Sequence, residues 1–549
     1  MSDTRSDAKP AIEAFDFIII GAGSAGCVLA DRLSESGTHS VLVLEAGGVD
    51  KNPWHKIPLG ISRLIGDKAV AWLDMTTATN ASGGRSIILS QGKVLGGGSS
   101  INGMLYIRGQ KEDYDNWAAL GCTGWGWQDV LPYFKKSENL PHGGTEGAHG
   151  RDGKLKLSWI KNLNPASRAV MQAAQHAGLP FNDDVNDGDQ SGVGYLLGTI
   201  HKGRRQSTAT AFLLPARKRK NVTVKTGQLV QKLIVENGHV RGVCLRDENG
   251  ALVHYHARKE VLLSAGAVGS PAILQHSGIG DEAHLSAVGV TPQHHLPGVG
   301  ANLQDHIFGH VKYRMKNPRH SYNKKLSSLP SMAIELVKWL LFGKGALTTT
   351  SAHFCGFFKS DDAMERNDIQ LAMRPYSASV REDGNLALDD FPSMTVSAIQ
   401  ARPYSRGQVM IQNNDPSKRP EVNTNYLSDP RDVTAISRGI RRVRDIVSQP
   451  IADNLVAEEV EPGAQIDSDS DIETYLRQSF ATVYHPVGTC KMGTDDMAVV
   501  DPELKLIGLQ GLRVVDASIM PVISSGNTNA PTIMIGEKAA DMIRQEHGA

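Results

Sequence analysis

The chain has 549 residues, and its 58 lysines and arginines balance 58 aspartates and glutamates, so nothing in the net charge favours nucleic acid as a partner. Its length exceeds what one hydrophobic core ordinarily supports, which predicts two or more domains. Five cysteines (Cys27, Cys122, Cys244, Cys355, Cys490) are odd in number and lack CxxC spacing, which argues against a disulfide framework or zinc site and predicts a reducing compartment.

Residues 1–14 read as a disordered lead-in without the apolar core of a signal peptide, and no run of about eighteen uncharged apolar residues follows. The expected location is the cytoplasm. From Phe15 to Gly47 the pattern becomes strand, glycine turn, helix and second strand. Phe17 to Ile20 suit a buried parallel strand, and Val28, Leu29 and Leu33 then recur at helical spacing. Gly21 permits the tight turn, Gly23 lets main-chain N–H groups approach a pyrophosphate, and Gly26 lets helix pack on strand; Ser24 and Ala25 complete the turn. The second strand, Val41 to Leu44, ends in Glu45 and Ala46, where a carboxylate suits a ribose hydroxyl. Two readings compete with a dinucleotide cradle: an ordinary strand–helix turn, and a serine elbow of hydrolase type at Ala22-Gly23-Ser24-Ala25-Gly26. This unit alone leaves NAD and FAD open.

Residues 51–80 scatter Trp54, Leu59, Ile61, Leu64 and Trp72 among turn residues and read equally as lid or packing. The next stretch, Gly92 to Asn102, contains Gly96-Gly97-Gly98-Ser99-Ser100 and would let main chain run against a flat or charged ligand. Continuing through Gly103, Met104, Tyr106, Gly109 and Asp115, it resembles the first signature of the glucose–methanol–choline (GMC) oxidoreductases, FAD-dependent alcohol oxidases and dehydrogenases. That resemblance favours flavin over nicotinamide and places Gly92, Val94, Gly97, Ser99, Asn102, Gly103 and Met104 against it. Residues 123–160, with Trp125, Trp127, Tyr133 and Phe134, read as a surface helix and hairpin. The basic runs at Lys202 to Arg205 and Arg217 to Lys220 read as solvated faces, with an anion-docking role as the alternative.

A helix is predicted over Thr208 to Leu214, followed by strands Val222 to Thr226 and Leu229 to Val235; the resemblance sets Val230 against adenine. The strand Glu260 to Ser264 enters Ala265-Gly266-Ala267-Val268-Gly269-Ser270-Pro271, similar to the second family signature, with Pro271 expected in the first turn of a helix. Asn302-Leu303-Gln304-Asp305-His306 resembles the link out of the flavin domain. Residues 311–477 carry strand-like runs (Phe354 to Phe358, Ile369 to Met373, Thr395 to Ile399, Gln408 to Ile411), which predict an antiparallel sheet over the flavin. The apolar helix Pro330 to Phe342, flanked by Lys324, Lys325 and Lys344, is read as packed in that domain, with peripheral contact at the inner membrane as the alternative.

Near the C-terminus stand His485 and, forty-four residues later, Asn529 within Gly526-Asn527-Thr528-Asn529-Ala530-Pro531-Thr532. Spacing alone does not pair them; the resemblance does, since family members carry a histidine first and a histidine or asparagine second. Imidazole, with a pKa of about 6.5, is suited to take a hydroxyl proton near neutrality, which makes His485 the expected base. Asn529 would hold the same oxygen by an amide N–H. Pro531 and Thr532 open the last helix, whose positive end would face the flavin, and Asp516-Ala517 match a flavin-contacting segment.

The fold expected is α/β (α+β overall): a Rossmann-like FAD-binding domain (1–160, 201–310, 478–549) and a discontinuous substrate-binding domain on an antiparallel sheet (161–200, 311–477). The resemblance, strongest to bacterial choline and alcohol dehydrogenase-type members, implies oxidation of a primary alcohol to the aldehyde by hydride transfer to flavin N5. Electrons would pass to a quinone or other carrier, with O2 as the alternative acceptor and a hydroxynitrile-type lyase as a rival of another class. Some members attach flavin through a histidine where Ile101 stands here, so the FAD is expected to be non-covalent. No grouping of histidines suggests a metal.

Overall fold

The computed structural model describes residues 13–161, 163–247, 250–380 and 386–548. Residues 1–12 of the expected lead-in lie outside that range, and residues 13 and 14 already belong to the first strand, Glu13–Ile20. That strand is the centre of a seven-stranded sheet. It runs parallel to Val41–Glu45 on one side (Phe17 beside Val41, Ile20 beside Leu44) and to Leu252–Leu263 on the other (Phe17 beside Glu260, Ile20 beside Leu263). Val222–Thr226 extends the parallel set beyond Val41–Glu45, and Leu512–Val514 pairs with the end of the long strand. The antiparallel pair His239–Arg246 and Val230–Glu236 completes the sheet. Burial on both faces explains the unbroken apolar run: Phe17, Ile18 and Ile19 have no exposed surface.

The glycine-turn helix, Ser24–Leu33, and the C-terminal helix, Asn529–His547, pack together on this sheet. A buried bidentate ion pair joins them, Arg32 Nε and Nη2 donating to the two carboxylate oxygens of Glu537 at 2.8 Å each.

A second sheet of nine strands is antiparallel throughout. Its core order is Val456–Glu461, Ile307–Met315, Ser393–Gln400, Ile369–Arg374, Phe354–Phe358 and Gly192–Gly198. The amphipathic helices Pro165–His176 and Pro430–Val447 bury their apolar faces with this sheet. The mixed architecture is the one expected, a Rossmann-like sheet beside a separate antiparallel one. The sheet also takes strands from Leu105–Tyr106 and Ser158–Ile160, and the boundary drawn at 310/311 falls inside the strand Ile307–Met315, so that division remains a proposal.

Several local expectations shift. Pro271 lies inside the helix Gly266–His276, six residues in, rather than in its first turn. The carbonyl of Ala267 that proline leaves without a helical donor accepts instead from the Thr489 hydroxyl at 2.6 Å. The segment read as a surface helix buries its aromatics: Trp125, Trp127 and Phe134 pack with Tyr114 and Trp117 in one cluster. Gln408–Met410 pairs with Glu421–Asn423 and stands apart from the large sheet. Residues 209–213 form a π-helical turn that leads into Leu214–Ala216. Among the described residues no helix is long and apolar enough to cross a membrane.

The Arg32–Glu537 pair gives the first prediction. Glu537→Ala removes the buried bidentate partner, leaves the guanidinium only the more exposed Glu35 as a hydrogen-bond partner, at 3.0 Å, and is expected to cost about 3–5 kcal/mol. Urea unfolding followed by circular dichroism would show the loss, and an unchanged midpoint would place the helix docking elsewhere.

Candidate active site

The glycine turn and the second glycine-rich loop interlock. A Cβ on Gly26 would meet Gly21 O at 2.0 Å, so helix and turn approach as closely as main chain permits. Gly97, at φ +51°, lies so near Gly23 that its Cβ would meet Gly23 Cα at 2.8 Å, and Gly96 N–H donates to Ala22 O at 2.7 Å. Gly92 packs against Gly97, and Val94 bridges to Gly48. Glu45 holds this junction, Oε2 accepting from Ala22 N–H at 2.8 Å and Oε1 from Gly47 N–H at 2.7 Å. Burial pushes its carboxyl pKa up, and each oxygen keeps a second lone pair. Ala46 follows at the strand end, and Gln228 N–H, two residues before Val230, donates to Glu45 O at 2.8 Å. The Ser99 hydroxyl faces Thr208 at 2.8 Å, within protein.

Beyond the turn, Asp516 Oδ2 accepts from Gly266 N–H at 2.8 Å and from Ser270 Oγ at 2.6 Å, which ties Ala265 and Gly266 to Ala517. Met104 is held at φ +62°, Asn102 Oδ1 accepts from its N–H at 3.0 Å, and Gly103 O accepts from Ser351 N–H at 3.2 Å. Ile101 is buried with Leu64, Val70, Ala71 and Val94. Thr532 turns its hydroxyl onto Thr528 O at 2.7 Å, one turn from Pro531.

His485 sits on a segment paired to the one that carries Asp305 and His306, just before the strand Ile307–Met315. Gln304 and Val487 exchange main-chain hydrogen bonds, Val483 N–H donates to His306 O at 3.1 Å, and Tyr484 at φ +63° turns the next residue inward. Asp305 Oδ1 accepts from His485 N–H at 2.7 Å while its other oxygen takes the hydroxyls of Thr482 and Tyr426. The two rings meet edge to face with Nδ1 of His306 and Nδ1 of His485 at 3.0 Å.

That contact fixes the protons. His306 Nε2 lies 3.0 Å from Ala401 O, a pure acceptor, so Nε2 carries hydrogen and Nδ1 of a neutral His306 is bare. His485 must then donate from Nδ1, which leaves its Nε2 as a lone pair. Burial lowers the pKa of His306 to about 4. Burial, with the neighbouring His306, holds His485 well below the usual histidine value. Both rings are therefore neutral at pH 7. Burial raises Asp305 to about 6, against the pull of its donors.

The structure brings Asn527, not Asn529, to this lone pair: Asn527 Nδ2 lies 3.0 Å from His485 Nε2, and its buried Oδ1 has no partner. Asn529 donates from Nδ2 to Ser24 Oγ at 2.7 Å, at the start of the glycine-turn helix. The Asn527 loop is clamped by Asp113, which accepts from Ser525 N–H at 2.7 Å and Ser525 Oγ at 3.0 Å, and by Gln304 Oε1 on Ile523 N–H.

Four residues were not singled out from sequence: Asp305, His306, Asn527 and Arg205. The first three stand in quoted motifs and Arg205 in a basic run read as a solvated face, so a signal existed for each; only the fold supplies their contacts and buries Arg205. Arg205 is buried; its guanidinium donates only to oxygens of His55, Ser99 and Asn102 and leaves Nη2 without a partner. Desolvation lowers its pKa to about 9. A buried cation beside the glycine loop, the main-chain cradle and the unfilled Asn527 oxygen fit a flavin dinucleotide with its phosphates and ring.

Comparison with known proteins agrees. The family description "GMC oxidoreductase" matches residues 15–308 with an N-terminal model and 403–536 with a C-terminal one. The "Oxygen-dependent choline dehydrogenase" of Photobacterium profundum is 41% identical over 533 residues, 96% of this chain and 93% of that protein. The protein of the same name from Vibrio vulnificus is 42% identical, covering 96% and 94%. Among solved structures, pyridoxine 4-oxidase from Mesorbium loti superimposes with a TM-score of 0.87 at 31% identity, covering 97% and 99% of the two chains. A formate oxidase does so with 0.91 at 26%, covering 98% and 99%.

The depressed histidine makes the pH dependence specific. A base at His485 would work unprotonated, and the folded pKa of that ring lies below 6.5, so the saturated rate of substrate-driven flavin bleaching should stay level from pH 8 to 6.5 and fall only below. Anaerobic stopped-flow at a series of pH values measures this; a limb centred at 7 or above would contradict a neutral, buried His485.

Proposed function

The chain belongs to the GMC oxidoreductase family and is an FAD-dependent oxidoreductase, and from that premise we propose that it oxidises an uncharged primary alcohol to the aldehyde with His485 as base. FAD, when bound, supplies the two-electron acceptor for the hydride of the alcohol carbon. The observation that carries the reading is the bare Nε2 of His485 with the Asn527 amide against it at 3.0 Å. A substrate hydroxyl inserted there donates its proton to Nε2 and accepts from Asn527 Nδ2, which steadies the alkoxide character that hydride loss requires. The imidazolium keeps its Nδ1–H on His306, so proton gain needs no ring rotation. Asn529, through Ser24, serves the cradle.

Glu45, Gly97, Asn102, Asp516 and Arg205 are the groups we assign to holding FAD, without a covalent bond because Ile101 offers no nucleophile. The carboxylate bonded to the His485 main chain, Asp305, is occupied by three donors, which favours an uncharged alcohol over a quaternary ammonium. The acceptor proposed is a quinone or other carrier. The name of the relatives, "Oxygen-dependent", supports O2 as a second reading. The location proposed is the cytoplasm.

Two measurements test these assignments. Anaerobic mixing with alkanols, benzylic alcohols, glycol ethers and choline, followed by air, names substrate class and acceptor; bleaching by choline alone would contradict the uncharged-alcohol reading. His485→Ala should slow bleaching by roughly 10²–10⁴-fold with FAD retained, and Asn527→Ala by roughly 10²–10³-fold. Asn529→Ala should instead weaken FAD retention. Equal bleaching in wild type and Asn527→Ala would return the orienting role to Asn529.

A further inference from the structure

The helix Leu329–Phe342 has its polarity reversed. A surface helix normally turns apolar residues inward and charge outward. Here the described residues it buries are Glu335 and Trp339, while Leu329, Ile334, Val337, Leu340, Leu341 and Phe342 are between 51% and 87% exposed. Glu335 is committed inward, accepting from Ala346 N–H at 2.6 Å and Lys338 Nζ at 2.7 Å. Trp339 donates to Gly203 O at 2.7 Å beneath the Arg204 guanidinium. The helix is thus anchored by its polar groups and presents its leucines to the outside.

Apart from the inward-facing Glu335, the charged residues on and beside it are basic. Lys324, Lys325 and Lys344 flank the helix in sequence, Lys338 is on it, and Lys202 and Arg204 come from the turn that packs under Trp339. A second copy laid face to face across a two-fold axis would set lysines against lysines. An anionic bilayer complements them: leucines enter the acyl boundary while lysine stems reach the headgroups.

We propose that the Leu329–Phe342 helix is a membrane-docking surface for anionic phospholipid, lying in the interface without crossing it. From the helix the chain continues through Ala346–Thr348 to Ser351, whose N–H donates to Gly103 O, so the segment that follows the helix reaches the end of the second glycine loop. A lipid-dissolved alcohol or electron carrier would be delivered beside the cradle. Docking does not depend on which alcohol is oxidised.

The test is cosedimentation of the holoenzyme with phosphatidylcholine vesicles, with and without phosphatidylglycerol. Binding is expected to the anionic vesicles, weaker to pure phosphatidylcholine and reduced by salt. The double variant Leu340→Glu/Leu341→Glu, changed only at exposed positions, should bind at least about tenfold more weakly while keeping its FAD and its turnover with a soluble dye acceptor. Wild type that stays in the supernatant, or a double variant that sediments equally, overturns the proposal. So does a wild-type dimer, seen by light scattering, that the double variant dissociates without any vesicle binding.

Discussion

Two neutral imidazoles whose Nδ1 atoms lie 3.0 Å apart can share only one proton, and the carbonyl of Ala401 decides which ring keeps it. Because His306 gives its Nε2–H to that carbonyl, His485 must donate from Nδ1 and present a bare Nε2. Water could not hold this arrangement, since either ring would rotate or take a proton at mild acidity. Burial removes both escapes: His306 is fully buried and His485 only 9% exposed, so charging either costs desolvation while nearby main chain fixes their orientation.

The rest of the fold keeps that contact in register. The two histidines ride on segments joined by the Gln304–Val487 exchange, and Asp305 takes the His485 main-chain N–H. Left-handed backbone occurs nearby at Tyr484 and at Asn302, whose side chain donates to Gly488 O and Pro521 O. Pro521 begins the loop that delivers Asn527. Farther out, the Arg32–Glu537 pair sets the C-terminal helix against the glycine-turn helix, and the Asn529–Ser24 bond joins their first turns. One helix therefore joins both the glycine turn and the loop that faces His485.

Much of this was legible in the sequence for simple reasons. The strand Glu13–Ile20 and the turn at Gly21 are encoded by an apolar run and by main-chain approaches that only glycine allows, and the strands Val222–Thr226 and Phe354–Phe358 appear with the bounds expected. The choice between Asn527 and Asn529 was not legible, because two asparagines two residues apart fit one motif equally. Gly526 at φ +121° turns the first towards His485 while the second enters the helix. His306 looked isolated because its partners come from segments far along the chain. The burial of Trp125 and Phe134, and the exposure of Leu340 and Leu341, escape periodicity, since apolar residues all round a helix do not say which face meets protein.

The most direct test of the central claim is the ¹⁵N spectrum of histidine-labelled holoenzyme at pH 7, with His485 assigned by comparison with His485→Gln. A pyrrole-type, protonated Nδ1 and a pyridine-type, bare Nε2 are expected for His485, with the opposite pattern for His306. A His485 ring protonated at Nε2, or at both nitrogens, would contradict it.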